Sequence, residues 1–249
     1  MTDGLVPLVA GNWKMNGLRR DLDEIRAIAG ASAHLPRPEI LICPPATLLM
    51  AAAEICAGTA VRLGGQDCHN EPSGMHTGDL SAEMLADAGA AYVILGHSER
   101  RAEHGETSEE VRIKAHAALR AGLMPIICVG ETRAEREAGE ALALVGAQLK
   151  ASIPPHPGPG LVVAYEPIWA IGTGHTPTPT EVAEMHTFIR SELGIGLGVG
   201  GTKVRLLYGG SVRSENVKEW VAIDNVNGVL VGGASLKSAD FMQIVKAFQ

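Results

Sequence analysis

Eight short apolar runs, separated by stretches with helical patterning, limit most severely what this chain can fold into. They centre on Val6 to Ala10, Ile40 to Cys43, Val61 to Gly64, Tyr92 to Leu95, Pro125 to Val129, Leu161 to Tyr165, Val204 to Tyr208 and Gly228 to Val231. Short apolar runs without polar alternation read as strands buried on both faces. Helix candidates between them include Asp21 to Ala31, Ala46 to Ala57, Ser108 to Ala121, Arg133 to Ala151, Thr180 to Leu193 and Ser214 to Ala222. Thr107-Ser108-Glu109-Glu110 and Thr178-Pro179-Thr180-Glu181 offer caps with acids in the first turn, and Gly122 and Gly194 read as stops. Doubly buried strands alternating with helices make a parallel sheet, because the helices cover both of its faces. Eight such units in 249 residues, with no linker-like stretch, predict an α/β fold: one single-domain (β/α)8 barrel over residues 1–249.

The competing architecture is an open, doubly wound nucleotide-binding sheet. Gly196-Leu197-Gly198-Val199-Gly200-Gly201 satisfies its glycine fingerprint, yet the run follows a helix pattern and precedes a strand. That order offers no helix N-terminus to a pyrophosphate, so the run reads as a flexible connection and no cofactor is expected. A formal net charge of -7 and the lack of a dense Lys/Arg tract exclude a broad nucleic-acid surface. No secretory leader pattern and no apolar run of membrane-spanning length stand out, so a cytoplasmic protein is expected. Cys43, Cys56, Cys68 and Cys128 form no CxxC and show no metal-ligand spacing with the nine histidines. Reduced thiols are expected, with neither a disulfide nor a metal.

In a (β/α)8 barrel, chemistry gathers at the C-terminal ends of the strands. After the first run comes Asn12-Trp13-Lys14, where the period of two in extended chain puts Asn12 and Lys14 on one side and Trp13 on the other. After the fourth comes Gly96-His97-Ser98-Glu99-Arg100-Arg101. His97 is an imidazole at a strand end, and Glu99 and Arg100 read equally well as an ion pair that fixes loops. The last two strands are followed by Gly209-Gly210-Ser211 and Gly232-Gly233-Ala234-Ser235. Two glycine-rich turns at adjacent strand ends let backbone N–H groups approach an anion, which suits a phosphate. Cys128 reads as a core thiol beside Glu131 rather than a nucleophile, since no histidine accompanies it.

The stretch Tyr165 to Gly174, YEPIWAIGTG, sets an acid, a rigid joint and a loop side by side. Glu166 ends the sixth run, and Pro167 disfavours the helical region for it and keeps it extended. Ile168 to Ile171 is too apolar for a loop that stays in water, and Gly172, Thr173 and Gly174 can absorb large backbone changes. An apolar loop with flexible ends reads as a lid, although an ordinary connection whose Trp169 packs on a neighbour has the same composition.

GNWKMN, LGHSERR, CVGET, AYEPIWAIGTG, YGGSV and VGGASL resemble, in order and over nearly the whole chain, the signature segments of the triosephosphate isomerases. The resemblance implies interconversion of dihydroxyacetone phosphate and glyceraldehyde 3-phosphate through an enediolate. It also implies Glu166 as base, His97 as a neutral electrophile with Lys14, and substrate binding by Asn12, Lys14, Gly172, Ser211, Gly232 and Gly233. These assignments, like loop closure, are family properties. It further implies a homodimer through the long Gln66 to Asp79 loop, whose tip would reach a second subunit. Departures are His76 for an aromatic ring, Asp79 for Glu, His175 for Lys, and Pro177 and Pro179 after the lid. Two other classes remain open on the same barrel. A Schiff-base aldolase would use Lys14, and a non-catalytic sugar-phosphate binder would need only the glycine turns.

Overall fold

The computed structural model describes residues 4–33, 35–157, 160–171 and 176–249. Eight parallel strands close into a barrel in chain order: β1 (Leu8–Asn12), β2 (Glu39–Cys43), β3 (Val61–Gly65), β4 (Tyr92–Leu95), β5 (Met124–Val129), β6 (Val162–Tyr165), β7 (Arg205–Tyr208) and β8 (Gly228–Val231). The ring shuts where Leu8 of β1 pairs with Gly228 of β8, and Tyr208 of β7 pairs with Val229. The expected fold class is therefore present.

Strand alternation divides the core in two. Leu8, Ala10, Leu41, Ile94, Cys128 and Leu207 belong to one cluster, which fills the barrel. Their neighbours Val9, Ile42, Val93, Val129 and Leu206 belong to a second cluster with the helices. Cys43 and Cys128 are buried within the barrel, which pushes both thiols well above their ordinary range. All four cysteines are free. No helix among the described residues is long and apolar enough to cross a membrane.

Most boundaries shift by a residue or two, and four differences from the sequence expectation have a local cause. β1 begins at Leu8, not Val6, because Pro7 has no N–H to give; the ladder starts with the Leu8 N–H on the Asn227 carbonyl, 3.0 Å. The single helix expected over Arg133 to Ala151 is two, Arg133–Glu137 and Ala141–Ser152, broken where Gly139 takes φ 77°. Gly194 does not stop its helix, which starts at Pro179 under a Thr178–Glu181 capping box and runs to Leu197, ending at Gly198 with φ 58°. The expected Ser214 to Ala222 helix shrinks to Val217–Val221. There the Asn216 side chain accepts from the Arg213 N–H and donates to the Ser211 carbonyl, which fixes a turn instead.

Candidate active site

At the C-terminal mouth of the barrel lies a cleft of about 490 Å³ lined by Asn12, Lys14, His97, Glu166, Ser211, Gly232 and Gly233, among others. These are all the site residues named from sequence except Gly172, which lies outside the described residues. Asn12 and Lys14 do share a side, but not through strand alternation. Lys14 is left-handed, φ 53°, a conformation that costs a non-glycine residue about 1 kcal/mol or more. Its N–H is held by the Asn12 side-chain oxygen at 2.9 Å, and its carbonyl accepts from the Gln66 amide at 2.9 Å. Trp13 turns inward, 1% exposed, and donates to the Ser235 carbonyl, 3.1 Å. Strand β1 is thus tied to the turn after β8.

His97 caps the Ser98–His104 helix. Its Nδ1 accepts the Glu99 N–H at 3.2 Å, which requires a lone pair there and places the ring proton on Nε2. An imidazolium could not accept that bond. Nε2 faces Glu166 Oε1 at 3.1 Å, while Oε2 of the same carboxylate accepts the Ser98 N–H at 3.1 Å. Glu166 is 2% exposed, with both oxygens engaged at the start of this helix. Gly209 makes room for it: a Cβ there would come within 2.9 Å of Glu166 Cγ.

Glu99 and Arg100 do not pair with each other. Glu99 takes Lys14 Nζ at 2.6 Å, and Arg100 turns away to Asp67 at 2.9 Å. A one-residue step along a helix turns side chains by about 100°, so the two face different neighbours. Asp67 also meets Lys114 at 3.0 Å, and Lys114 bonds Glu106, so a charged network runs from the Gln66 to Asp79 loop to the base of the His97 helix.

The Cys128 thiol is indeed core, but its acidic neighbour is Glu166, not Glu131. Glu131 was not marked as a functional candidate, yet it is fully buried and its Oε1 accepts from both Tyr165 Oη and Trp169 Nε1 at 3.0 Å. The signal available was its place at the end of β5, two residues past Val129. Ile168–Ala170 forms a short 3-10 turn with Ala170 buried.

Residues 71–79 of the long loop are all exposed, including Met75 at 100%. Its base is fixed by a bridge between His69 and Ser81. His69, His76 and Asp79 bring ligand atoms within 4.8 Å of one another, a grouping that sequence spacing did not reveal. His69 Nδ1 already accepts the Glu71 N–H at 3.0 Å, so its remaining nitrogen carries a proton.

A sequence model described as triosephosphate isomerase matches residues 7–248. A triosephosphate isomerase of Afipia carboxidovorans is 59% identical over 243 residues, 97% of each chain. One of Bradyrhizobium diazoefficiens is 54% identical over 248 residues, 99% of each. The crystal structure of triosephosphate isomerase from Bartonella henselae superposes with a TM-score of 0.91 at 47% identity, covering 97% of this chain and 98% of that one.

Proposed function

The chain belongs to the triosephosphate isomerase family, and on that premise we propose how its own residues carry the reaction. It is an isomerase that interconverts dihydroxyacetone phosphate and glyceraldehyde 3-phosphate, a step of glycolysis and, in reverse, of gluconeogenesis. Glu166 takes the proton from the carbon beside the carbonyl and returns it to the neighbouring carbon. To do so it exchanges its bonds to His97 and Ser98 for the substrate. His97 donates its Nε2 proton to the carbonyl oxygen on which negative charge develops. Lys14, with Asn12, adds positive charge at the same oxygen. Ser211, Gly232 and Gly233 cradle the phosphate, joined by Gly172 of a lid that shuts out water.

The observation that carries this reading is the contact of His97 Nε2 with Glu166 at 3.1 Å, in the cleft that also holds Lys14 and both glycine turns. A binding protein has no need of that pair, and a Schiff-base lysine would not be spent on Glu99 at 2.6 Å. A coupled assay with glyceraldehyde 3-phosphate tests it. The wild type turns over, and Glu166→Gln retains phosphate affinity and loses about 10²- to 10⁴-fold in kcat. Unchanged kcat would remove Glu166 as the base.

The Gln66 to Asp79 loop is the proposed homodimer contact. Exposed Met15, Met50, Met75 and Met84 supply apolar surface that a second copy would cover, and the bridge at the loop base lowers the ordering cost of presenting the tip. Sedimentation at neutral pH should show a dimer whose dissociation abolishes turnover. A fully active monomer would overturn the assembly.

A further inference from the structure

β4 ends at Leu95, and the turn that carries His97 into the mouth hangs on one residue, Gly96, whose two backbone polar groups are both held by side chains. Its N–H donates to the buried Glu106 Oε2 at 3.1 Å, and its carbonyl accepts from Arg101 Nε at 2.8 Å. Gly96 takes φ 67°, and a Cβ there would come within 2.8 Å of Arg101 Nη2, so the guanidinium lies against a residue that has to be glycine. The rest of the fork reaches outward. Nη2 donates to the Cys128 carbonyl of β5 and to Ser152 Oγ, both at 3.2 Å, and Nη1 donates to Ser108 Oγ at 3.0 Å.

Among the described residues Arg101 forms no salt bridge; its four acceptors are neutral. Burial pulls its pKa below the ordinary value. Holding a cation there carries a desolvation cost that an apolar side chain filling the same space would avoid. What the planar fork adds is a grip on peptide oxygens beyond β4 and in β5 at once. β5 is the common reference for the reacting pair. The Cys128 carbonyl takes Arg101 on the β4 side, and the next carbonyl, that of Val129, takes the Glu166 N–H at 2.8 Å on the β6 side. Successive peptides of one strand therefore hold the two segments whose side chains meet at 3.1 Å between His97 Nε2 and Glu166 Oε1.

We propose that Arg101 is a positioning residue for the isomerisation: it clamps the peptide before His97 to β5, and so sets the His97 imidazole against the Glu166 carboxylate. This rests on the roles given to His97 and Glu166 under the proposed function. Arg101 is not among the residues lining the cleft, so it acts through the turn it holds. Loosening the clamp leaves the glycine turns after β7 and β8 in place, so phosphate binds as before while acid and base lose their mutual aim. A displacement of about 1 Å is enough to cost on the order of 10²-fold in rate.

The experiment measures kcat, KM and the inhibition constant of inorganic phosphate for wild type, Arg101→Met, Arg101→Lys, Glu166→Gln and the two double variants. Each is checked for folding by circular dichroism and assayed well below its Tm. Arg101→Met should lose about 10- to 100-fold in kcat and Arg101→Lys, which keeps the charge without the fork, about 10-fold, with KM and the phosphate constant within about twofold of wild type. In the Glu166→Gln background the same substitutions should cost only about twofold, because the base they would misaim is gone. Wild-type kcat in folded Arg101→Met, or in Arg101→Lys where the Met variant does not fold, overturns the proposal. So does a loss equally large in both backgrounds, or one that appears in phosphate binding, since each marks general loosening of the barrel. If Glu166→Gln itself keeps its kcat, the reading of the base falls first and takes this proposal with it.

Discussion

At the N-terminal mouth of the barrel Arg205, Glu39 and Tyr92 close on one another, whereas at the C-terminal mouth Lys14, Glu99, His97 and Glu166 stand around an open cleft. Arg205 Nη1 meets Glu39 at 2.6 Å, Nη2 donates to the Tyr92 oxygen at 2.7 Å, and the Tyr92 hydroxyl donates to Glu39 at 2.7 Å. Burial pushes the Tyr92 hydroxyl up to about 12, so it remains a donor at any physiological pH. Each of these residues opens its strand, and together they form a triangle that satisfies itself. The upper cluster uses the same chemistry without closing. The lower triangle borders a shallower hollow of about 530 Å³ with its groups already matched to one another, whereas the carboxylate and imidazole of the upper cleft have partners that a substrate can replace. Both sets of charges are paired, but those at the upper mouth are paired where a bound ligand can take a partner's place.

That contrast can be broken from either side. The largest effect is expected from the upper mouth. The Glu166→Gln loss of about 10²- to 10⁴-fold corresponds to roughly 3–5 kcal/mol of barrier, and it should come with an unchanged melting temperature. At the lower mouth Arg205→Met leaves Glu39 without its cation and should cost about 2–4 kcal/mol of stability, on the order of 10 °C in Tm, with kcat within twofold. Calorimetry and the coupled assay on both proteins check the pair. An Arg205→Met enzyme as stable as wild type but slow would erase the distinction.

The smallest effect sharpens the comparison, because it concerns a structural contact on the catalytic face. Glu24 accepts the Ser238 N–H at 2.8 Å and Lys237 Nζ at 3.0 Å, tying the Leu22–Ser32 helix to the last one, Ser238–Lys246. Chiefly the Ser238 N–H, and then Lys237, holds its carboxyl down at about 2. A folded-state value below the unfolded one gives stability that is present above the ordinary carboxylate range and lost as pH falls toward 2. The site is open to solvent, so Glu24→Gln should cost only about 0.5–1 kcal/mol at pH 7 and nothing measurable near pH 2. Urea titrations at the two pH values read the difference.

Much of the upper mouth was legible because backbone placement decided it. A strand run followed by Asn-x-Lys, by Gly-His or by Gly-Gly puts those residues at the rim wherever a parallel barrel forms. What the runs did not reveal were partners distant in sequence. Arg136 and Glu181 are 45 residues apart, and Lys14 and Glu99 are 85 apart. No local pattern pairs them, and the neighbour that local reasoning offered Glu99, Arg100, was the wrong one. Gly194 misled for a related reason. A glycine stops a helix only where the chain needs a left-handed turn, and here that need falls at Gly198.

The sequence by itself determined the number and order of the strands, which residues stand at their ends, and the family that the six signature segments mark. These are properties of spacing, and spacing along a chain fixes what alternating elements present at one end of a barrel. Only the tertiary structure decided the state of each group. His97 and His186 are both buried histidines, yet one caps a helix at the cleft with both nitrogens engaged. The other is sealed in the wall, where burial takes it down to about 4 and leaves it neutral and structural. Lys14 faces the cleft through a strained left-handed backbone that no run of residue types announces, held by Asn12 at the end of β1 and by Gln66 just past β3. Desolvation and hydrogen-bond partners set charge and aim, and both depend on which distant segments the closed barrel brings within 3 Å or so of each other.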